Sequence, residues 1–220
     1  MEKIDTFSVL NLSIKRGDRS VLRGLGFNLI SGLLLKLIGP NGSGKSTLLK
    51  TLAGLIDIEE GDVLSDGISV MGNREWIARN ICYLSHKNAL KSEFTVLEHI
   101  KFWADLWGCQ NKILYSLNQM GIDYLRDTPV RYLSSGQARR VALARSLCHP
   151  AALWLYDEPT VGIDDQGLDY LSIAMEKHLA GGGMIICATH DNLRIKDEMV
   201  KNFDVTKFSV SLSSSGDDWS

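Results

Sequence analysis

The chain has 220 residues, 45% of them apolar and 23% charged, which is enough to bury a full core in one domain and lies outside the compositions of disordered or collagen-like chains. A formal net charge of -2 and a pI near 6.2 exclude a generally basic surface, so no nucleic-acid partner is expected and any anion site is local. Cys82, Cys109, Cys148 and Cys187 have no C-x-x-C spacing, which predicts reduced core thiols rather than a zinc site or a disulfide framework.

Short segments with apolar alternation run from Phe7 to Ile38 (FSVLNLSI, VLRGLGFNLI, LLLKLI), parted by RGDR and SG. They predict antiparallel strands leading into a buried one. A helix is expected from Thr47, with its periodic body over Leu48 to Leu55 and a stop at Gly54. After EEGD comes a further strand-and-turn region up to ICYL, Ile81 to Leu84. At Thr95 the period changes: TVLE offers a capping box, and Val96, Ile100, Trp103 and Trp107 follow at helical spacing. A mainly helical insert is therefore expected to Cys148, ended by Pro150.

The runs ALWLY and MIICAT read as buried parallel strands. Between them Leu168, Leu171, Met175 and Leu179 mark a helix closed by Gly181 to Gly183. The last ten residues, SLSSSGDDWS, have no pattern that could bury anything and read as a frayed tail. LISGLLLKLIG and AALWLY are too short or too interrupted to cross a bilayer, and MEKIDTF lacks a signal-peptide apolar region, so a soluble or membrane-peripheral protein is expected.

Three stretches carry chemistry. GPNGSGKS, Gly39 to Ser46, satisfies G-x-x-x-x-G-K-S/T between a strand and a helix, the context of a phosphate-binding loop. In such a loop the backbone N–H groups of Gly39, Pro40 to Gly44 and Thr47, where they have one, close on phosphates, with Asn41, Gly42 and Ser43 forming the turn. Lys45 reaches the β and γ oxygens of ATP and Ser46 offers its hydroxyl to Mg2+. ALWLYDEP puts Asp157 and Glu158 at the end of a buried strand, where Asp157 suits the magnesium shell and Glu158 can polarise an attacking water. Taken alone the pair would read as a solvated turn; beside the phosphate loop the catalytic reading gains. His190 ends MIICATH and could bond both a γ-phosphate oxygen and the attacking water, or be a structural strand-end histidine.

A second anion-binding helix start lies in YLSSGQARRVALAR, Tyr132 to Arg145. GPNGSGKST, LSSGQ, LYDEP, GID and ATH occur in an order that resembles the ATP-binding-cassette (ABC) ATPases, over about residues 7 to 200. That resemblance implies an α/β P-loop NTPase cassette with an N-terminal antiparallel β subdomain and a helical subdomain. It implies a single ATPase domain over 1-205 with the helical subdomain at about 88-148, then a last short strand and disordered tail over 206-220.

It also implies a homodimer of cassettes stacked head to tail. Ser134, Ser135, Gly136 and Gln137 of one copy would meet ATP held at Gly39 to Thr47 of the other, and Gly162 to Asp164 would cross the interface. Two departures stand out. His86, in YLSH, occupies a position where many cassettes have glutamine, and either contacts the nucleotide site or packs at a subdomain hinge. Arg16 stands where an aromatic often stacks on adenine, and could stack likewise or be a solvated turn charge.

YLSHKNALKSEFTVLEHIKFW is similar to the corresponding region in the ATP-binding subunits of cytochrome c maturation haem exporters. This implies a peripheral subunit on the cytoplasmic face of a bacterial inner membrane, bound to multi-span partners that handle haem. Residues 88-102 would form part of the docking groove, with Trp103 and Trp107 in the subdomain core. An ATP-binding subunit for another exported solute, or a soluble ATP-gated scaffold, are the alternatives.

Overall fold

The computed structural model describes residues 3–210. β1 (Thr6–Arg16) and β2 (Arg19–Ile30) pair antiparallel, their alternating apolar residues giving one buried face. β3 (Leu34–Ile38) leads into α1 (Lys45–Leu52), which begins two residues before the expected Thr47 and ends with Gly54 at a φ of 70°. β4 (Glu60–Ser65) and β5 (Ile68–Ser69) complete an antiparallel sheet in the order β2-β1-β4-β5.

A helix then appears where strand and turn were expected: α2 (Arg74–Asn80), capped by the Asn73 side chain on Trp76 N. Its two turns are too short for helical spacing to stand out, and only its cap was there to be read. β6 (Ile81–Leu84) follows. α3 (Val96–Trp107) starts in the expected capping box, with Thr95 Oγ1 accepting from Glu98 N and Glu98 Oε2 accepting from Thr95 N. α4 (Ile113–Gln119) and α5 (Ser135–Cys148) complete the helical insert.

β7 (Leu153–Asp157), α6 (Asp165–Ala180), β8 (Met184–Ala188) and β9 (Val200–Asp204) finish the architecture. The strand expected after 205 is instead a 3-10 turn, Val205–Phe208, because the Asp204 carboxylate accepts from both Thr206 N and Thr206 Oγ1 and turns the chain out of extension. Ser209 then makes one isolated antiparallel bridge with Leu22. The frayed-tail expectation for 211-220 lies outside the described residues.

The second sheet is parallel, in the order β6-β7-β8-β3-β9, and both its faces are covered. Cys82, Leu84, Trp154, Tyr156, Ile185 and Cys187 join the core under α3 to α6. Their neighbours Ile81, Leu153, Leu155, Met184 and Ile186 join the other core, shared with α1 and the antiparallel sheet. This period-two division is what makes ALWLY and MIICAT uniformly apolar.

Because the strands are parallel, β6, β7, β8 and β3 all end on one edge. That edge receives Ser85 and His86, Asp157 and Glu158, His190, and the Gly39 loop respectively. An open α/β sheet binds ligands at this carboxyl edge. All four cysteines are buried free thiols, as their spacing predicts, and burial pushes Cys82 up to about 12.

Candidate nucleotide-binding site

The loop 39-44 turns tightly between β3 and α1. Gly44 caps α1 at a φ of 101°, and a Cβ there would lie 2.9 Å from Leu22 Cδ2, so both backbone and space require glycine. Gly39 stands at 143°, where a Cβ would meet Ser43 Oγ at 2.8 Å. Lys45 is buried, and its Nζ donates to the carbonyls of Gly39 (2.6 Å) and Pro40 (3.0 Å), which folds the side chain back along the loop. Ser43 Oγ is buried without a protein partner, and Thr47 is buried in the first turn of α1.

Ser46 Oγ donates to Asp157 Oδ1 at 2.9 Å, which brings the start of α1 to the end of β7. Glu158 follows in the left-handed region at a φ of 50°, a conformation that costs a residue with a Cβ about 1–2 kcal/mol. Its N–H donates to the Ala188 carbonyl at 2.8 Å, so the neighbouring strand end holds the strained turn. His190 Nε2 lies 3.1 Å from Asn41 Oδ1 and 3.7 Å from Glu158 Oε1, between the phosphate loop and the acidic pair.

These residues surround an open cleft of about 850 Å³. Arg16, Arg19 and Val21 line one end of it; Lys45, Ser46, Glu158, His190 and His86 line the rest. The structure thus brings together Arg16, His86, the phosphate loop, Glu158 and His190. Arg19 and Val21 had not been singled out from the sequence; their signal was only the two-residue hairpin turn that brings β2 back beside Arg16.

Ser134, Ser135, Gly136 and Gln137 do not line the cleft. They open α5, where Ser134 Oγ accepts from Gln137 N (3.2 Å) and Gln137 Oε1 accepts from Ser134 N (2.9 Å). Ser134 and Ser135 are exposed, at a fourteen-residue helix's N-terminus. Gly136 packs on the 162-164 segment: a Cβ there would meet the Gly162 carbonyl oxygen at 2.6 Å.

Asp164 is likewise committed within the chain. Its carboxylate pairs with Arg140 and accepts from Gly167 N at 2.9 Å, capping α6, and the Arg140 bond draws it below the usual carboxylate range. It caps α6 outside the lining of the chain's own cleft, on the segment expected to cross an interface between two copies.

Trp103 and Trp107 are half-buried and lie in a ring ladder, 5.0 Å apart, with Trp107 edge-on to His149 at 4.5 Å. Phe102 and Leu106 on the same helix are exposed.

A parallel sheet whose carboxyl edge carries a glycine-rich loop, a buried lysine and a strand-end Asp-Glu pair defines a P-loop nucleotide hydrolase. The ABC transporter family model matches residues 22–161, and the chain belongs to that family, as an ATP-binding, ATP-hydrolysing subunit that works with membrane partners.

Similar relatives include the cytochrome c biogenesis ATP-binding export protein CcmA of Paramagnetospirillum magneticum, 40% identical over 86% of this chain and 90% of that protein. The protein of the same name in Bradyrhizobium diazoefficiens is 42% identical over 82% and 89%. Among solved structures, an ABC transporter ATP-binding protein from Pyrococcus furiosus superposes with a TM-score of 0.80 at 25% identity, covering 93% of this chain and all of that one. The cbiO1 subunit of Clostridium perfringens, part of the cbiONQ transporter complex, does so with a TM-score of 0.70 at 29% identity, covering 86% and 80%.

Proposed function

We propose that this subunit hydrolyses ATP to power a membrane complex for haem export and haem-chaperone release in cytochrome c maturation. The observation that carries the reading is the 40% identity to proteins named for cytochrome c biogenesis, spread over nearly their whole length. Among the described residues no helix is long and apolar enough to cross a membrane. In this reading the chain is held at the membrane by partner subunits. The exposed Phe102 and Leu106 on α3 are suited to that contact, while haem stays with the multi-span partners. The location that follows is the cytoplasmic face of a bacterial inner membrane.

Two copies of the chain form the working unit. The exposed N-terminus of α5 is absent from the lining of the chain's own cleft, yet it is a ready anion site. A second copy turned head to tail would lay Ser134, Ser135, Gly136 and Gln137 over the γ-phosphate held at the first copy's loop. ATP would then join the copies, and hydrolysis would remove the join.

Within one cleft, Arg16 stacks on the base, the loop 39-44 and Thr47 wrap the phosphates, and Lys45 swings from the Gly39 and Pro40 carbonyls to the β and γ oxygens. Ser46 and Asp157 offer one hydroxyl and one carboxylate, the sparse oxygen set that suits Mg2+ shared with phosphates. When bound, the ion would neutralise charge developing on the phosphate oxygens. Glu158 orients and deprotonates the attacking water, and His190, tethered to Asn41, hydrogen-bonds the γ-phosphate. His86 lines the same cleft and contacts the nucleotide side of it.

The test is a haem stain of membranes from cells whose only copy is Lys45→Ala, with apocytochrome levels measured in parallel. Loss of covalent haem from c-type cytochromes with the apoproteins still made and b-type haem retained is the expected result. Unchanged c-type haem would remove the haem reading and leave the ATPase.

A further inference from the structure

Arg139 lies near the start of α5 and is 3% exposed. Its guanidinium donates to two segments that are far apart in sequence. Toward the end of β7, Nη2 reaches the carbonyls of Asp157 (3.1 Å) and Glu158 (2.7 Å), and Nε reaches that of Pro159 (3.2 Å). Toward the loop after β6, Nη1 reaches the Ser85 carbonyl (2.9 Å), Asn88 Oδ1 (3.1 Å) and, at 3.5 Å, the His86 carbonyl.

A buried guanidinium is costly unless its N–H groups are satisfied, and this one is satisfied mainly by backbone carbonyls rather than by a carboxylate. The fork geometry matters, because three separate nitrogens held in one plane reach both segments, whereas an ammonium has all its donors on a single nitrogen.

Glu158 is the strained residue of the turn, at a φ of 50°. The peptide groups on both sides of its Cα are tied: its N–H to Ala188 and its carbonyl to Arg139. The carboxylate is thereby aimed by backbone contacts. The same α5 end touches the following segment twice more, through Gly136 against the Gly162 carbonyl and through Arg140 with Asp164. We propose that Arg139 is a positioning residue for ATP hydrolysis, holding the Glu158 turn and the His86 loop in register with the α5 N-terminus so that the three move as one body.

The test uses the full chain in the membrane complex with which it purifies, and reads ATP turnover, so it is independent of the haem reading. Arg139→Lys keeps charge and length but not the fork. It is expected to bind ATP within about threefold of wild type while kcat falls by on the order of tenfold or more.

Placed on Glu158→Gln, the same substitution is expected to add no further loss of turnover, because both changes act through one carboxylate. Additive losses on that background, a raised KM with unchanged kcat, or wild-type kcat in Arg139→Lys would each overturn the proposal. Where the lysine variant does not fold, Arg139→Gln is measured by the same readouts; if neither folds, the arginine is a core residue and the positioning role falls.

Discussion

The hydroxyl of Ser46 and the carboxylate of Asp157 meet at 2.9 Å, which joins the first turn of α1 to the end of β7. Asp157 is 4% exposed, and it is Ser46, which lines the cleft, that meets its carboxylate. Asp157→Asn preserves volume and removes a hard anionic ligand. ATP turnover in the presence of Mg2+ should fall on the order of a hundredfold, while ATP binding measured in EDTA stays near wild type. A matching loss of affinity in EDTA would show that Asp157 serves the fold or the nucleotide rather than the ion.

Glu158 offers a separation of stability from chemistry. Glu158→Gly relieves a φ of 50° but loosens the unfolded chain, two effects of about 1 kcal/mol each and opposite sign. Its melting temperature should therefore stay close to wild type while turnover is lost. Glu158→Gln keeps the side-chain shape and should retain ATP binding and accumulate dimer. Sedimentation with ATP checks this, and a variant that remains monomeric at high concentration counts against dimerisation of the isolated subunit.

Much of this site was legible in the chain, for physical reasons that differ by residue. The phosphate loop could be read because Gly39 and Gly44 answer local demands of backbone and space, and local demands leave a local pattern. Asp157 and Glu158 could be read because a strand buried on both faces is uniformly apolar and the first charges after it mark its end.

Arg139 could not be read that way. From Arg139 to Cys148 every residue of α5 is buried, three arginines among them, so the helix has no polar face from which an unusual buried charge would stand out. The pairing of Asp164 with Arg140 was not legible because the two come from different elements; only the fold brings them together. α2 was missed because its anchoring is tertiary and its length is two turns.

Gly136 provides a test of the contact between α5 and the 162-164 segment. In Gly136→Ala the new Cβ would lie 2.6 Å from a backbone oxygen, which a side-chain rotation cannot relieve. Either α5 or the Gly162 turn must shift. ATP binding to the monomer should be nearly unchanged, since the cleft lining lies elsewhere, while turnover should fall on the order of tenfold or more. Nucleotide titration beside steady-state ATPase rates distinguishes these, and wild-type turnover would show that the helix start tolerates displacement.

Three histidines oppose folding in acid. Burial pulls His99, His149 and His178 down to about 4, with Arg145 and Lys91 adding to the effect at His99 and Lys112 at the other two. The geometry at His99 and His149 agrees. Both ring nitrogens of His99 are buried without partners, and His149 Nδ1 accepts from Ala151 N at 3.0 Å, a bond that protonation would break. His178 stacks on Trp154 at 3.8 Å; the Ala152 and Met184 carbonyls within 3.2 Å of its Nε2 favour the protonated ring and work against the shift, and burial outweighs them.

Their folded values lie below the unfolded value of 6.5, so between about pH 6.5 and 4 the unfolded chain binds more protons. Stability from these groups is complete above that window and declines as pH falls through it, by up to about 1.4 kcal/mol per pH unit for each proton taken up. Urea melts from pH 7 to pH 4.5 should show this decline. His178→Gln, which cannot protonate, should be less stable at pH 7 yet fall less steeply with acid; an unchanged slope would mean that His178 keeps an ordinary affinity for protons in the folded chain.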